Sequence, residues 1–236
     1  MDQEVIRAAL QRLGEPGPPR IELLAPEHAA PRRLGILSGS FDPMTIAHAA
    51  LADALEDDGA DLVLFLYSVR TLPKEGATDR SAPPLLDQED RVAALLAYCG
   101  DRPRRGVAMC SHGLYADQAE AVAAAYPEAE LVFGVGSDKV MQLFDARWYD
   151  DRNAALERLF SFASLAYATR GGDEERLRAT LRGQDQWHSA MRRLSLPAEV
   201  AGVSSRAIRQ SLRAGEEISD LVPAAVLPVV LRAARD

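Results

Sequence analysis

The feature that most constrains this chain is a cycle repeated from Leu34 onward: an apolar run of strand length, a glycine or polar corner, then a segment of helical periodicity. The runs read LGILS, DLVLFLYS, RGVAMCS, ELVFGVGS and FASLAYAT. None alternates strictly between apolar and polar, which is the pattern of strands buried on both faces. The cycle therefore predicts a doubly wound, Rossmann-like α/β fold, a parallel sheet of about five strands with helices on both faces. Helices are expected over Ile46 to Glu56, Asp87 to Cys99, Asp117 to Tyr126, and Asp138 to Leu159 with a break near Trp148.

Two regions leave the cycle. Residues 1–33 read as a leader helix followed by a linker, because GEPGPPR breaks regular structure before the first strong strand. After Arg170 the chain turns helical, so residues 34–236 read as one domain, an α/β core over 34–170 and a helical part over 171–236. RTLPKEGATDRSAPP, between Arg70 and Pro84, is too polar and proline-rich for regular structure and is a candidate substrate loop.

Composition narrows the function. With 27 Lys and Arg against 35 Asp and Glu, the net charge is −8, which argues against nucleic acid as a partner and leaves room for a local basic strip that holds a small phosphorylated ligand. Cys99 and Cys110 are the only cysteines, with no histidine cluster, so neither a disulfide framework nor a zinc site is suggested. No apolar stretch approaches the ~20 residues of a membrane span. A cytoplasmic, non-membrane protein is expected, with small molecules as partners and homo-oligomerisation open.

In an open parallel sheet, ligands meet the chain where strands end and helices begin, because helix N-termini present unpaired N–H groups and positive dipole ends. GILSGSFDPMTIAHAAL, Gly35 to Leu51, is such a corner. Gly39 and Ser40 close the strand, Pro43 restricts Asp42, Thr45 falls in the N-cap region and His48 lies one turn later. A phosphate there would meet the Ser40 hydroxyl, backbone N–H groups and an imidazole together. A second basic site follows from VSSRAIRQSLR: Ser204 suits an N-cap, Ser205 and the first helical N–H groups suit phosphate oxygens, and Arg206, Arg209 and Arg213 form a stripe opposite Ile208 and Leu212. No GxGxxG or GxxxxGK[ST] follows the first strand, which disfavours a dehydrogenase or a P-loop kinase.

GSFDPMTIAH, carried by Gly39, Phe41, Asp42, Pro43, Thr45 and His48, resembles the signature of the nucleotidyltransferase superfamily with the T/HxGH motif. That superfamily includes nicotinate or nicotinamide mononucleotide, pantetheine-phosphate and cytidylyl transferases. VSSRAIRQSLRAGEEISDLVPAAV looks like its carboxy-terminal ISSTxxR helix and following LVP helix. FGVGSDKVMQLFDARW is similar to the GxD segment of the mononucleotide adenylyltransferases, with a tryptophan about ten residues past the aspartate. LYSVRTLPKEG and GLYADQ resemble two further family turns.

The resemblance implies transfer of AMP from ATP, with Mg²⁺ bridging the phosphates, to nicotinate or nicotinamide mononucleotide. It assigns catalysis to His48, Thr45 and Arg209. It assigns nucleotide or phosphate binding to Gly39, Ser40, Phe41, Ala47, Gly136, Asp138, Ser204, Ser205 and Arg206, and acceptor binding to Lys74 and Trp148. Gly134 and Gly136 are expected to admit close backbone approach. Three positions depart from the pattern: Thr45 stands where mononucleotide adenylyltransferases usually carry histidine, Ala47 replaces the motif glycine, and Arg206 replaces the threonine of ISSTxxR. They keep two other readings open: the same chemistry on another phosphorylated or phosphonate acceptor with ATP or CTP, and a non-catalytic nucleotide sensor.

Overall fold

The computed structural model describes residues 3–26, 30–70, 84–169 and 172–234. In chain order the strands are β1 (Ile21–Ala25), β2 (Arg33–Gly39), β3 (Leu62–Ser68), β4 (Arg105–Cys110), β5 (Glu130–Gly136), β6 (Ala163–Ala168) and β7 (Met191–Leu194). The helices are α1 (Gln3–Gly14), α2 (Ile46–Asp57), α3 (Gln88–Cys99), α4 (Tyr115–Ala125), α5 (Ser137–Leu143), α6 (Arg152–Phe162), α7 (Glu174–Leu181), α8 (Ala198–Ala201), α9 (Ser205–Arg213) and α10 (Leu227–Ala233). A short 3₁₀ turn, Ala146–Trp148, is the expected break between α5 and α6.

The strands form one sheet in the order β1-β4-β3-β2-β5-β6-β7, parallel except for β1 against β4. The doubly wound expectation holds, with seven strands rather than five. Strands β3 and β5 have their central residues fully buried, as the unbroken apolar runs require. The two missed strands are edge strands. Strand β7 reads MRRL, too short and too charged for a core run, and β1 follows the proline-rich stretch that reads as linker.

The first 33 residues therefore do more than lead into the fold. Helix α1 buries Ile6, Ala9, Leu10 and Leu13 on the core that also holds α2, α3 and Phe41, and β1 adds a strand to the sheet. Gly106 of β4 makes this possible, because a Cβ there would lie 2.4 Å from the Ala25 carbonyl oxygen and 2.8 Å from Pro26. Gly106→Ala should push β1 off the sheet and destabilise the fold by about 1–3 kcal/mol. Thermal unfolding checks this, with an expected fall in Tm of roughly 2–4 °C per kcal/mol for a chain of this size.

Both cysteines are buried free thiols. Burial pushes Cys99 up to about 12 and Cys110 up to about 11, so neither is a thiolate near neutral pH. Among the described residues no helix is long and apolar enough to cross a membrane.

The chain order reverses between β2 and β5, so the corners that follow them face each other across neighbouring strands about 4.8 Å apart. The helical C-terminal part folds back onto the same face. Ile208 of α9, Ile218, Val222, Val226 and Val230 all enter the core that holds Phe41 and Met44. That packing carries the second basic segment to the first corner.

Candidate active site

The corner after β2 is built by steric fit. A Cβ on Gly39 would meet the Phe41 ring at 3.2–3.4 Å, so glycine lets that ring fold back over the strand end. Phe41 itself has φ +44, a left-handed conformation that costs a non-glycine residue about 1–3 kcal/mol. Its buried ring offsets this by packing edge-on against Phe65 at 5.8 Å and against the His48 imidazole at 5.3 Å.

His48 is oriented from one side by Thr45, the N-cap of α2. The Thr45 N–H donates to His48 Nδ1 at 3.0 Å, and Thr45 Oγ1 lies 2.9 Å from the same nitrogen. A nitrogen that accepts a backbone N–H cannot carry the proton of a neutral imidazole, so that proton resides on Nε2. Thr45 is wholly buried. Expected as a catalytic residue, it meets the His48 ring at Nδ1 through both its N–H and its hydroxyl.

Asp42 joins the two sequence segments. Its buried carboxylate accepts the Leu86 N–H at 2.9 Å and the Leu85 N–H at 3.4 Å, and lies 3.5 Å from both Arg91 and Arg209. Arg209 also donates to the Asp42 carbonyl, Ser205 Oγ donates to the Pro43 carbonyl at 2.8 Å, and the Ile46 N–H donates to the Leu221 carbonyl at 3.1 Å. Segments more than 160 residues apart in sequence thus meet residue by residue at one turn.

The electrostatics of this turn favour an anion. Burial holds the Arg209 guanidinium below the usual arginine range; Asp42 opposes this, while Arg213, Arg91 and Arg206 press in the same direction as burial. The Asp42 carboxylate lies beside two guanidinium groups, Arg91 and Arg209, and Arg213 and Arg206 add positive charge around Arg209, a field that suits an anion. Arg91, on α3, is the residue that sequence reasoning missed. Its signal, one arginine in an ordinary amphipathic helix, has no local pattern to mark it.

Ser204 and Ser205, at the start of α9, have their hydroxyls engaged within the protein. Ser204 caps α9, its hydroxyl accepting the Ala207 N–H at 3.1 Å, so its oxygen is engaged by the helix. The Ser205 hydroxyl is spent on Pro43, while its backbone N–H lies in the first turn of α9, where helix N–H groups lack intrahelical acceptors. Arg206 is exposed beside Arg209, and Ser40 and Ala47 are half-buried at the corner. Gly136 is the N-cap of α5, the helix that follows β5, and Asp138 is exposed in its first turn. Gly134 differs from expectation: a Cβ there would strike Leu37 and Leu55 at 2.7 Å, so core packing and not a ligand requires it. Trp148 is half-buried with its indole N–H buried and lacking a partner. Lys74 lies outside the described residues.

Among the described residues no group of three or more His, Cys, Asp or Glu side chains gathers to hold a metal.

Comparison with known proteins places this geometry. The cytidylyltransferase-like sequence profile matches residues 36–211. A Gemmatimonas aurantiaca protein named "Probable nicotinate-nucleotide adenylyltransferase" is 31% identical over 199 residues, covering 82% of this chain and 87% of that protein. A Geobacter sulfurreducens protein of the same name is 28% identical over 217 residues, covering 82% and 93%. Among solved structures, Plasmodium falciparum nicotinic acid mononucleotide adenylyltransferase complexed with NaAD is similar with a TM-score of 0.58 at 15% identity, covering 85% of this chain and 95% of that one. At that identity the likeness speaks to the fold.

Proposed function

Because the chain belongs to the cytidylyltransferase-like family, we propose that it is an adenylyltransferase that moves AMP from ATP to the phosphate of nicotinate mononucleotide, releasing pyrophosphate and forming the dinucleotide of NAD biosynthesis. The observation that carries this reading is the junction at Asp42 and Pro43, where Arg209 and Ser205 of α9 meet the His48 corner. The names of the relatives from Gemmatimonas and Geobacter support nicotinate as the pyridine.

A phosphate oxygen of the acceptor attacks the α-phosphorus of ATP. The bond from that phosphorus to the bridging oxygen of the β-phosphate breaks, and pyrophosphate leaves with the electron pair. A phosphate dianion is nucleophilic at neutral pH, so no general base is needed; the work is alignment and charge stabilisation. His48 donates its Nε2 proton as a hydrogen bond to the α-phosphate oxygens, where charge grows. The Phe41 N–H, the Ser40 hydroxyl and the N–H groups at the start of α9 hold phosphate oxygens, and Arg209 with Arg206 grips the β- and γ-phosphates. Gly39 leaves room for the Phe41 ring at the strand end, and the Ala47 methyl lies beside the nucleotide at the start of α2, where the motif glycine would leave more space. Gly136 and Asp138 receive the adenosine side, and the partnerless Trp148 N–H serves the acceptor pocket with Lys74.

Mg²⁺ suits this site as a companion of the triphosphate. Among the described residues no cage of carboxylates gathers to hold it, and an ion of this kind keeps most of its ligands as water and phosphate oxygens. When bound, it neutralises phosphate charge.

The test is pyrophosphate release with Mg²⁺, crossing ATP and CTP against nicotinate mononucleotide, nicotinamide mononucleotide and phosphopantetheine. Release with ATP and nicotinate mononucleotide, well above every other pair, is expected. Best turnover with CTP or a non-pyridine acceptor would replace the substrate assignment, and tight ATP binding with no release from any pair would favour a nucleotide sensor.

A further inference from the structure

We propose that Arg91 is a positioning residue of the reaction, aiming the Phe41 N–H at the substrate phosphates by holding the opposite end of the same peptide group. The proposal rests on the functional reading above and adds to it a residue of α3 outside both motif segments.

Arg91 is nearly buried and uses its whole fork. Nε donates to the Leu86 carbonyl at 2.8 Å, Nη1 to the Ser40 carbonyl at 3.4 Å, and Nη2 lies 3.5 Å from the Asp42 carboxylate. Asp42 in turn accepts the Leu86 N–H, so Arg91 and Asp42 both hold Leu86, two residues before α3. The guanidinium is thereby fixed in plane and position, as a forked, rigid donor can be and a point charge cannot.

The consequence for the corner follows from peptide geometry. The Ser40–Phe41 bond is trans, and in a planar trans peptide the carbonyl and the N–H point in opposite directions. With the Ser40 carbonyl turned to Arg91, the Phe41 N–H is turned away from it. Phe41 sits at φ +44, a conformation that persists only where the surroundings over-determine it. On one side its ring is clamped by Phe65 and His48; on the other its peptide is clamped by Arg91. A mere counter-ion for Asp42 would not need the carbonyl contacts.

Arg91→Lys separates the two roles, because it keeps a cation beside Asp42 and loses the fork. Selective ¹⁵N-phenylalanine labelling gives six amide signals, and the Phe41 signal is the one that Phe41→Tyr removes. On addition of Mg-ATP without acceptor, the wild-type Phe41 amide should shift strongly and the lysine variant's weakly. The lysine variant should also turn over about 10–100-fold more slowly, the scale of a misplaced reacting geometry, while its ATP affinity changes little. Either wild-type turnover or a wild-type Phe41 shift in the lysine variant overturns the proposal. If the lysine variant does not fold, Arg91→Gln, which loses cation and fork together, is read by the Phe41 amide alone: a weak shift with Mg-ATP supports the proposal and a wild-type shift overturns it. Should the wild type bind ATP and transfer nothing, the functional reading fails, and the Phe41 shift alone decides the role of Arg91.

Discussion

His48→Ala is expected to lower kcat by about 10²- to 10³-fold, the loss of ~3–4 kcal/mol typical of removing one donor aimed at developing charge. The argument is one of orientation. The backbone N–H of Thr45 occupies Nδ1, so the ring proton is fixed on Nε2 as a donor before substrate arrives, and Phe41 packs against the ring at 5.3 Å. Because this donor gains strength as charge builds on the α-phosphate, its removal should appear in kcat far more than in ATP affinity. His48→Gln, whose amide N–H can point the same way, should recover part of the loss. Equal loss in both variants with weakened ATP binding would mean that His48 binds the ground state.

Arg209→Met should weaken ATP binding by about 10–100-fold, the scale of one or two charge-assisted hydrogen bonds, and leave AMP binding nearly unchanged. The reasoning is positional and electrostatic together. Arg209 is anchored through Asp42 and crowded by Arg213, Arg91 and Arg206, and in the proposed reaction its remaining N–H groups take the β- and γ-phosphates. Calorimetric titration with ATP, ADP and AMP checks it. Equal loss across the three nucleotides would place Arg209 at the adenosine or the α-phosphate. Arg91 still faces Asp42 in this variant, so the buried carboxylate keeps a partner and the fold should survive.

Much of this was legible before any coordinates. Strands buried on both faces leave uninterrupted apolar runs, and so β2 through β6 stood out, as did the helices between them. Strands β1 and β7 did not, because an edge strand needs only a few residues and tolerates charge. The corner after β2 was legible from Gly39 to His48 because strand end, turn and helix start lie within ten residues. What sequence spacing cannot carry is the use each polar atom is put to. The Thr45 hydroxyl faces inward to His48, the Ser205 hydroxyl is taken by Pro43, and Gly134 serves the core. Arg91 escaped notice for the same reason: its partners, Ser40, Asp42 and Leu86, come from two other segments, and only the folded chain brings them together.

The most direct measurement mixes enzyme with Mg²⁺, nicotinate mononucleotide and ATP labelled at the α-phosphate, and follows the label. Label should enter a dinucleotide in step with pyrophosphate released, and neither should form when the acceptor is omitted. Label that stays in ATP, or that appears as free AMP with no dinucleotide, would contradict adenylyl transfer to nicotinate mononucleotide.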